Sequence, residues 1–189
     1  FFVTSNMQIK VPMMSIRNTS FSYYKNSELQ IIKLPYQNSS ICMIIILPSN
    51  SIESFLNLLS YQKYQNFMVK TKKTELNLKV PKIKLKSSYL LNDYLVPMGI
   101  MSAFKETADF SKLAPENNIY IDKAFHKAFL EIDEKGTEAT AASSAVMGFK
   151  TTSISETMIV NRPYIIIIQD EETNTILFMA KITNPSTLN

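Results

Sequence analysis

Short apolar runs separated by polar punctuation organise this chain. Ile31–Leu34 and Ile41–Leu47 are rich in β-branched residues, end at Pro35 and Pro48, and enclose the polar stretch Tyr36–Ser40. The pattern predicts a β-hairpin. The second run is apolar at every position, so both of its faces are expected to be covered. Leu76, Leu78 and Val80 alternate with Asn77 and Lys79, but beyond Pro81 the phase flips to Ile83 and Leu85. A strand cannot change phase without an extra residue or a break. Two strands are therefore expected to meet at Pro81 and to serve different sheets. Tyr120–Asp133 reads as one long strand whose early part is apolar on both faces. Tyr164–Ile168 and Ile176–Ile182 predict a second hairpin around the polar turn Gln169–Thr175.

The helical signals are fewer. Ile52, Phe55, Leu56 and Leu59 have helical spacing behind Ser51, a plausible N-cap. Asn92 or Asp93 is expected to cap a short helix running to about Met101. Phe104–Asn118 is polar and irregular, and no internal repeat is evident. The outcome is a mostly-β chain with a few short helices.

Composition narrows the function classes. The chain has 189 residues, 46% apolar and 19% charged, which suits one domain with a sizeable core and argues against disorder. The formal charge is +4. The lysine clusters at Lys70–Lys73 and Lys79–Lys86 alternate with apolar residues, as on the wet face of strands. No basic run with interleaved aromatics suggests a nucleic-acid partner. No stretch approaches the roughly 20 apolar residues of a membrane span. Cys42, the one cysteine, cannot form a disulfide within the chain and is expected to be a small buried residue. His126 is the one histidine, so no metal site or catalytic triad is assembled and no cofactor is implied. It is expected to be a buried, hydrogen-bonded residue. The N-terminus FFVTSN lacks a basic region and does not read as a signal peptide. Asn18-Thr19-Ser20 and Asn38-Ser39-Ser40 are glycosylation sequons, which favour secretion.

One segment fits none of these elements. Residues 136–157 read GTEATAASSAVMGFKTTSISET and lie between two expected strands. Long structureless connections are uncommon in compact domains and are usually functional or disordered. Apart from Glu138, the first half is all small: Thr137, Ala139, Thr140, Ala141, Ala142, Ser143, Ser144 and Ala145. Such residues suit a segment that is exposed in one state and slides into a tight slot in another, because a close-packed interior has no spare room. They equally suit a short exposed helix or a flexible linker, and composition alone favours these two.

The flanking residues carry a family resemblance. FHKAFLEIDEKGTEATAAS at Phe125–Ser143 closely resembles the strand and proximal hinge of inhibitory serpins, a family of serine protease inhibitors. VPMM at Val11–Met14 is similar to the motif near the opening of the family's large sheet. LPY at Leu34–Tyr36 followed by CMIIILP resembles its central hairpin. LNDYLVPMGIMSAFKETADFSKL at Leu91–Leu113 resembles the helix and loop before the hinge strand. NRPYIIIIQDEETNTILFMAKITNP at Asn161–Pro185 resembles the C-terminal hairpin. One departure is Tyr164, where serpins usually have phenylalanine. A larger departure is length, since a serpin is close to twice as long. The resemblance therefore implies an α+β, serpin-like multi-sheet fold. Residues 1–189 would be the mostly-β C-terminal portion of a single serpin domain, with the N-terminal half absent. The chain is expected to be a fragment or one piece of a longer or two-chain protein.

The resemblance also implies a role for the odd segment. It would be a reactive loop at about residues 136–159, bait for a serine protease. The protein would be an inhibitor and not an enzyme. Glu134, Gly136, Thr137, Glu138, Ala139, Thr140, Ala141 and Ala142 would form the hinge, with Gly136 as pivot. Counting the usual family interval from Glu134 lands on Lys150, implying cleavage at Lys150–Thr151 by a trypsin-like protease. Phe149 is the alternative, selecting a chymotrypsin-like enzyme, and Met147 a third. His126 would lie where the central strands part. A glycosaminoglycan is a further candidate partner. Extracellular placement is expected, with an intracellular serpin as the alternative. A non-inhibitory carrier, storage protein or chaperone, and a cross-class inhibitor of cysteine proteases, are the competing functions.

Overall fold

The computed structural model describes residues 1–115, 119–134 and 156–186. They fall into two compact units. One is built from Phe1–Ile83 and Glu131–Thr187, the other chiefly from Lys84–Leu130.

The first unit is a seven-stranded sheet. Its strands are β3 (Met13–Lys25), β4 (Leu29–Pro35), β5 (Ile41–Pro48), β6 (Lys72–Pro81), β9 (Glu156–Ile159), β10 (Tyr164–Asp170) and β11 (Thr175–Ile182). They lie in the order β11-β10-β5-β4-β3-β6-β9. Every neighbouring pair is antiparallel except β6 and β9, which run parallel. Both expected hairpins form, β4–β5 and β10–β11. They meet because β10 pairs with β5, setting Ile165 opposite Ile46 and Ile167 opposite Ile44. A small hairpin of β1 (Phe2–Thr4) and β2 (Met7–Gln8) precedes the sheet.

Two helices cover one face. Helix α1 (Ile52–Asn57) starts at Ser51, whose Oγ accepts the Ser54 N–H at 3.4 Å. Helix α2 (Tyr61–Val69) is capped the same way by Ser60, which accepts the Lys63 N–H at 3.1 Å. Such caps satisfy amides that the first turn leaves without partners. Phe55 of α1 and Tyr64, Phe67 and Met68 of α2 pack on Ile31, Ile44, Ile46, Ile165 and Ile167. The alternate residues Ile32, Ile45, Leu47, Leu76, Met158, Tyr164 and Ile166 are buried as well. Both faces of β5 are thus covered, as its unbroken apolar run requires. Each such side chain contributes about 1.5–3 kcal/mol relative to exposure. The one buried polar side chain described, Gln169, accepts a hydrogen bond from the Tyr64 hydroxyl.

The phase flip at Pro81 is a real boundary. β6 ends there, and β7 (Ile83–Leu90) pairs instead with β8 (Phe125–Ile132) in a separate two-stranded sheet. Lys79, Lys84 and Lys86 are exposed between buried or half-buried neighbours, as alternation predicts.

The second unit departs from expectation in three places. Its helix α3 (Asn92–Leu95) is one turn and has no side-chain cap. Asn92 is spent elsewhere, donating to Asp122 O and accepting the Ala124 N–H, both at 3.0 Å. Pro97 has no N–H to continue the helix, and Gly99 at φ +94° turns the chain away. The strand expected over Tyr120–Asp133 begins only at Phe125. Before it, backbone groups are taken by single contacts to the preceding loop rather than by a ladder, Leu91 N–H to Ala124 O and Ile121 N–H to Ala103 O. Finally, the apolar residues of this stretch are largely open to solvent, Phe125 at 63% and Phe129 at 53% exposure. Among the described residues no helix is long and apolar enough to cross a membrane.

Candidate functional site

Residues 136–142, Met147, Phe149, Lys150 and Thr151 lie outside the described residues. The structure does describe the two anchors on either side of them.

The upstream anchor follows β8. Ile132 is buried, and two residues on the Glu134 carboxylate meets Lys82, with Nζ to Oε1 at 2.6 Å. The Lys82 hydrogen bond holds the Glu134 carboxyl below the usual glutamate value. Lys82 is itself fixed because its N–H donates to Pro12 O at 2.9 Å. The downstream anchor is β9. The last four residues of the expected loop, Glu156–Ile159, are therefore strand, and the loop interval is shorter than its sequence reading. β9 pairs with β6 from Leu76 opposite Glu156 to Lys79 opposite Ile159. Met158 and Val160 are fully buried, and the Val160 N–H donates to Lys79 O at 2.8 Å. Glu156 also forms an ion pair with Lys25 at 2.7 Å. Burial, and secondarily the Glu156 charge, push the Tyr23 hydroxyl up from its ordinary pKa.

Both anchors thus attach to one stretch of chain, Leu76–Lys82. Six extended residues cover on the order of 20 Å, while residues 135–155 fully extended would reach about 70 Å. Adding the reach of the Lys82 and Glu134 side chains and one strand spacing, the chain between the anchors is still roughly twice as long as the gap it joins.

His126 does not sit in a core here. It is exposed on β8 and stacks on Tyr89, with ring centroids 6.4 Å apart and planes at 20°. A two-stranded sheet leaves one layer of side chains open, and neighbouring Phe125 shares the exposure. Cys42 is buried as expected, and burial pushes its thiol pKa up to about 11. Asn18 is exposed at a bulge of β3, and Asn38 is exposed at the tip of the β4–β5 hairpin. Lys82 and Lys25, which steady the two anchors, carry no sequence signal beyond charge, because each pairs with a residue far along the chain.

The architecture and order of motifs match known proteins. The family model for serpins, described as serine protease inhibitor, covers residues 1–185. The chain belongs to the serpin family. The human plasma serine protease inhibitor is 32% identical over 188 residues, which are 98% of this chain and 45% of that protein. Intracellular coagulation inhibitor 2 of Tachypleus tridentatus is 33% identical over 96% of the chain and 46% of its own length. Mouse protein-Z dependent protease inhibitor superposes with a TM-score of 0.83 at 28% identity, over 98% of this chain and 48% of that one. Thyroxine-binding globulin in complex with thyroxine superposes at 0.86, also at 28% identity, over 99% and 50%. This serpin chain spans about half the length of the relatives it matches. Its seven-stranded sheet, separate β7–β8 pair and few short helices are those of a mostly-β serpin portion.

Proposed function

We propose that this chain is the bait-bearing part of an inhibitory serpin directed at a trypsin-like serine protease. The surplus length of chain between the anchors carries the reading. A segment whose ends are fixed at Glu134 and Glu156, and which is longer than the gap, can be offered to a protease and then relocated. In this reading the protease serine attacks the Lys150 carbonyl, the Thr151 amine leaves with a proton, and an acyl-enzyme ester remains. Lysine at that position complements an acidic specificity pocket. The freed hinge, Gly136–Ala142, then adds as a strand to a sheet of the whole protein. Serpin loop insertion is an established instance of such strand addition. Glycine permits the backbone torsions of a pivot at 136, and the small residues at 139–142 present nothing bulky to the slot.

A carrier function is the second reading, favoured by the superposition on thyroxine-binding globulin. Inhibition of a cysteine protease is a third, and a glycosaminoglycan is a candidate modulator. The two sequons support a secreted glycoprotein. A relative described as an intracellular coagulation inhibitor supports the alternative location.

The deciding experiment incubates the full-length protein with trypsin and, in parallel, with a papain-like enzyme. A covalent complex stable in SDS, with a C-terminal peptide beginning at Thr151 that separates only once SDS has unfolded the sheet, is the expected result with trypsin. Cleavage without a complex would overturn the inhibitory reading.

A further inference from the structure

We propose that the folded protein carries an N-linked glycan at Asn38 and none at Asn18, an inference that rests on the secreted placement above. Both sequons have serine at the third position, Ser20 and Ser40, so acceptor chemistry does not separate them. In each, the asparagine amide nitrogen would form a bond to the first sugar of a polyprenyl-pyrophosphate oligosaccharide. The sugar–phosphate bond breaks, and the pyrophosphate leaves as the amide loses a proton. Transfer precedes folding, so what separates the two sites is the structure that must then form around them.

Asn38 lies in the exposed turn between β4 and β5, at φ +53°. Among the described residues its carboxamide has no hydrogen-bond partner. The turn is braced by its neighbours instead. Tyr36 N–H donates to Ile41 O at 2.9 Å, Ile41 N–H to Ser39 Oγ at 3.0 Å, and Glu171 N–H to Ser40 O at 2.9 Å. A sugar on Asn38 therefore displaces no contact; Asn18 is exposed too and shares the left-handed backbone at φ +48°, which asparagine tolerates, so the difference lies in what surrounds each side chain.

Asn18 lies inside the 13-residue strand β3. The β6 ladder resumes on either side of it, Ile16 opposite Leu78 and Thr19 opposite Leu76. Its N–H donates to Asn77 Oδ1 of β6 at 3.1 Å, and Asn18 makes a further interaction besides. The next side chain is engaged too, with Thr19 Oγ1 donating to Arg17 O at 3.0 Å. A glycan here would stand on the bulge where the β3–β6 register breaks, beside the Asn77 and Thr19 side chains already engaged there.

The test expresses the full-length protein in eukaryotic cells, once with its natural N-terminus and once with a supplied secretion leader. The secreted protein is deglycosylated enzymatically and its peptides are weighed. With the leader supplied, Asn38 is expected to appear as aspartate and Asn18 to remain asparagine. Asn38→Gln is expected to reduce the gel shift by the mass of one glycan with an unchanged melting midpoint, and Asn18→Gln to leave the shift as it is in the wild type. Glycan on Asn18, or both residues bare, would overturn the proposal. Retention of the natural form inside cells, beside a glycan on Asn38 in the leader form, would sink the secreted placement alone and support the site.

Discussion

Glu134 and Lys82 meet at 2.6 Å where the chain leaves β8, and Lys82 is the first residue beyond β6. Both are partly exposed, and exposed pairs contribute little to stability. Glu134→Gln is expected to lower the thermal midpoint slightly at neutral pH. The folded Glu134 carboxyl sits below its ordinary value of 4.5. The contribution is therefore complete above that value and disappears as pH falls through the lowered one. Melting curves of the wild type and variant should converge in acid. A gap that widens on acidification would contradict this sign.

The bait register makes a sharper prediction. Lys150→Ala should abolish the SDS-stable complex with trypsin while leaving the melting curve unchanged. If inhibition of trypsin survives and only Phe149→Ala removes inhibition of chymotrypsin, the cleaved bond is one residue earlier. A gel of protease–inhibitor mixtures with the two variants reads both outcomes.

Tyr164 offers a test of the core. Its ring is fully buried and meets Phe1 edge-on at 6.3 Å, but among the described residues its hydroxyl has no hydrogen-bond partner. An unsatisfied buried hydroxyl costs about 1–3 kcal/mol, so Tyr164→Phe should stabilise the protein by up to that amount. The change restores the ring serpins usually carry at this point. Urea unfolding of the full-length protein should show a higher midpoint with an unchanged slope, and a lower midpoint would refute the argument.

Cys42 should be silent to thiol reagents at neutral pH, since it is 1% exposed and its thiolate is disfavoured by burial. The folded thiol titrates at about 11 against an ordinary 9.0. Folding therefore loses stability as pH rises past the ordinary value, because the unfolded chain releases the proton first. In the full-length protein, a chromogenic disulfide should label Cys42 only after denaturant is added.

Local pattern was enough for much of this fold. The two hairpins, the Ser51 cap and the boundary at Pro81 each rest on adjacent residues, and all four form. The gaps have physical causes. β3 is long but only Phe21 and Tyr23 alternate into a core, so most of its length lacks an apolar period. α2 was readable from Ser60 and the spacing of Tyr64, Phe67 and Met68. β9 was absorbed into the loop because four residues pairing with distant β6 leave no local trace. The resemblance supplied the loop's purpose, which composition left among helix, linker and bait. It could not supply Lys25–Glu156 or Lys82–Glu134, because such pairs exist only once β6 is folded.

The strand order has a last consequence. Everything downstream of residue 155 enters the seven-stranded sheet at both ends, β9 at one edge and β10 with β11 at the other. A chain break between Glu134 and Glu156 therefore severs the backbone without freeing either product. The C-terminal piece grips the rest like a clasp closed from two sides, so nicked protein should travel as one particle until the sheet itself is unfolded.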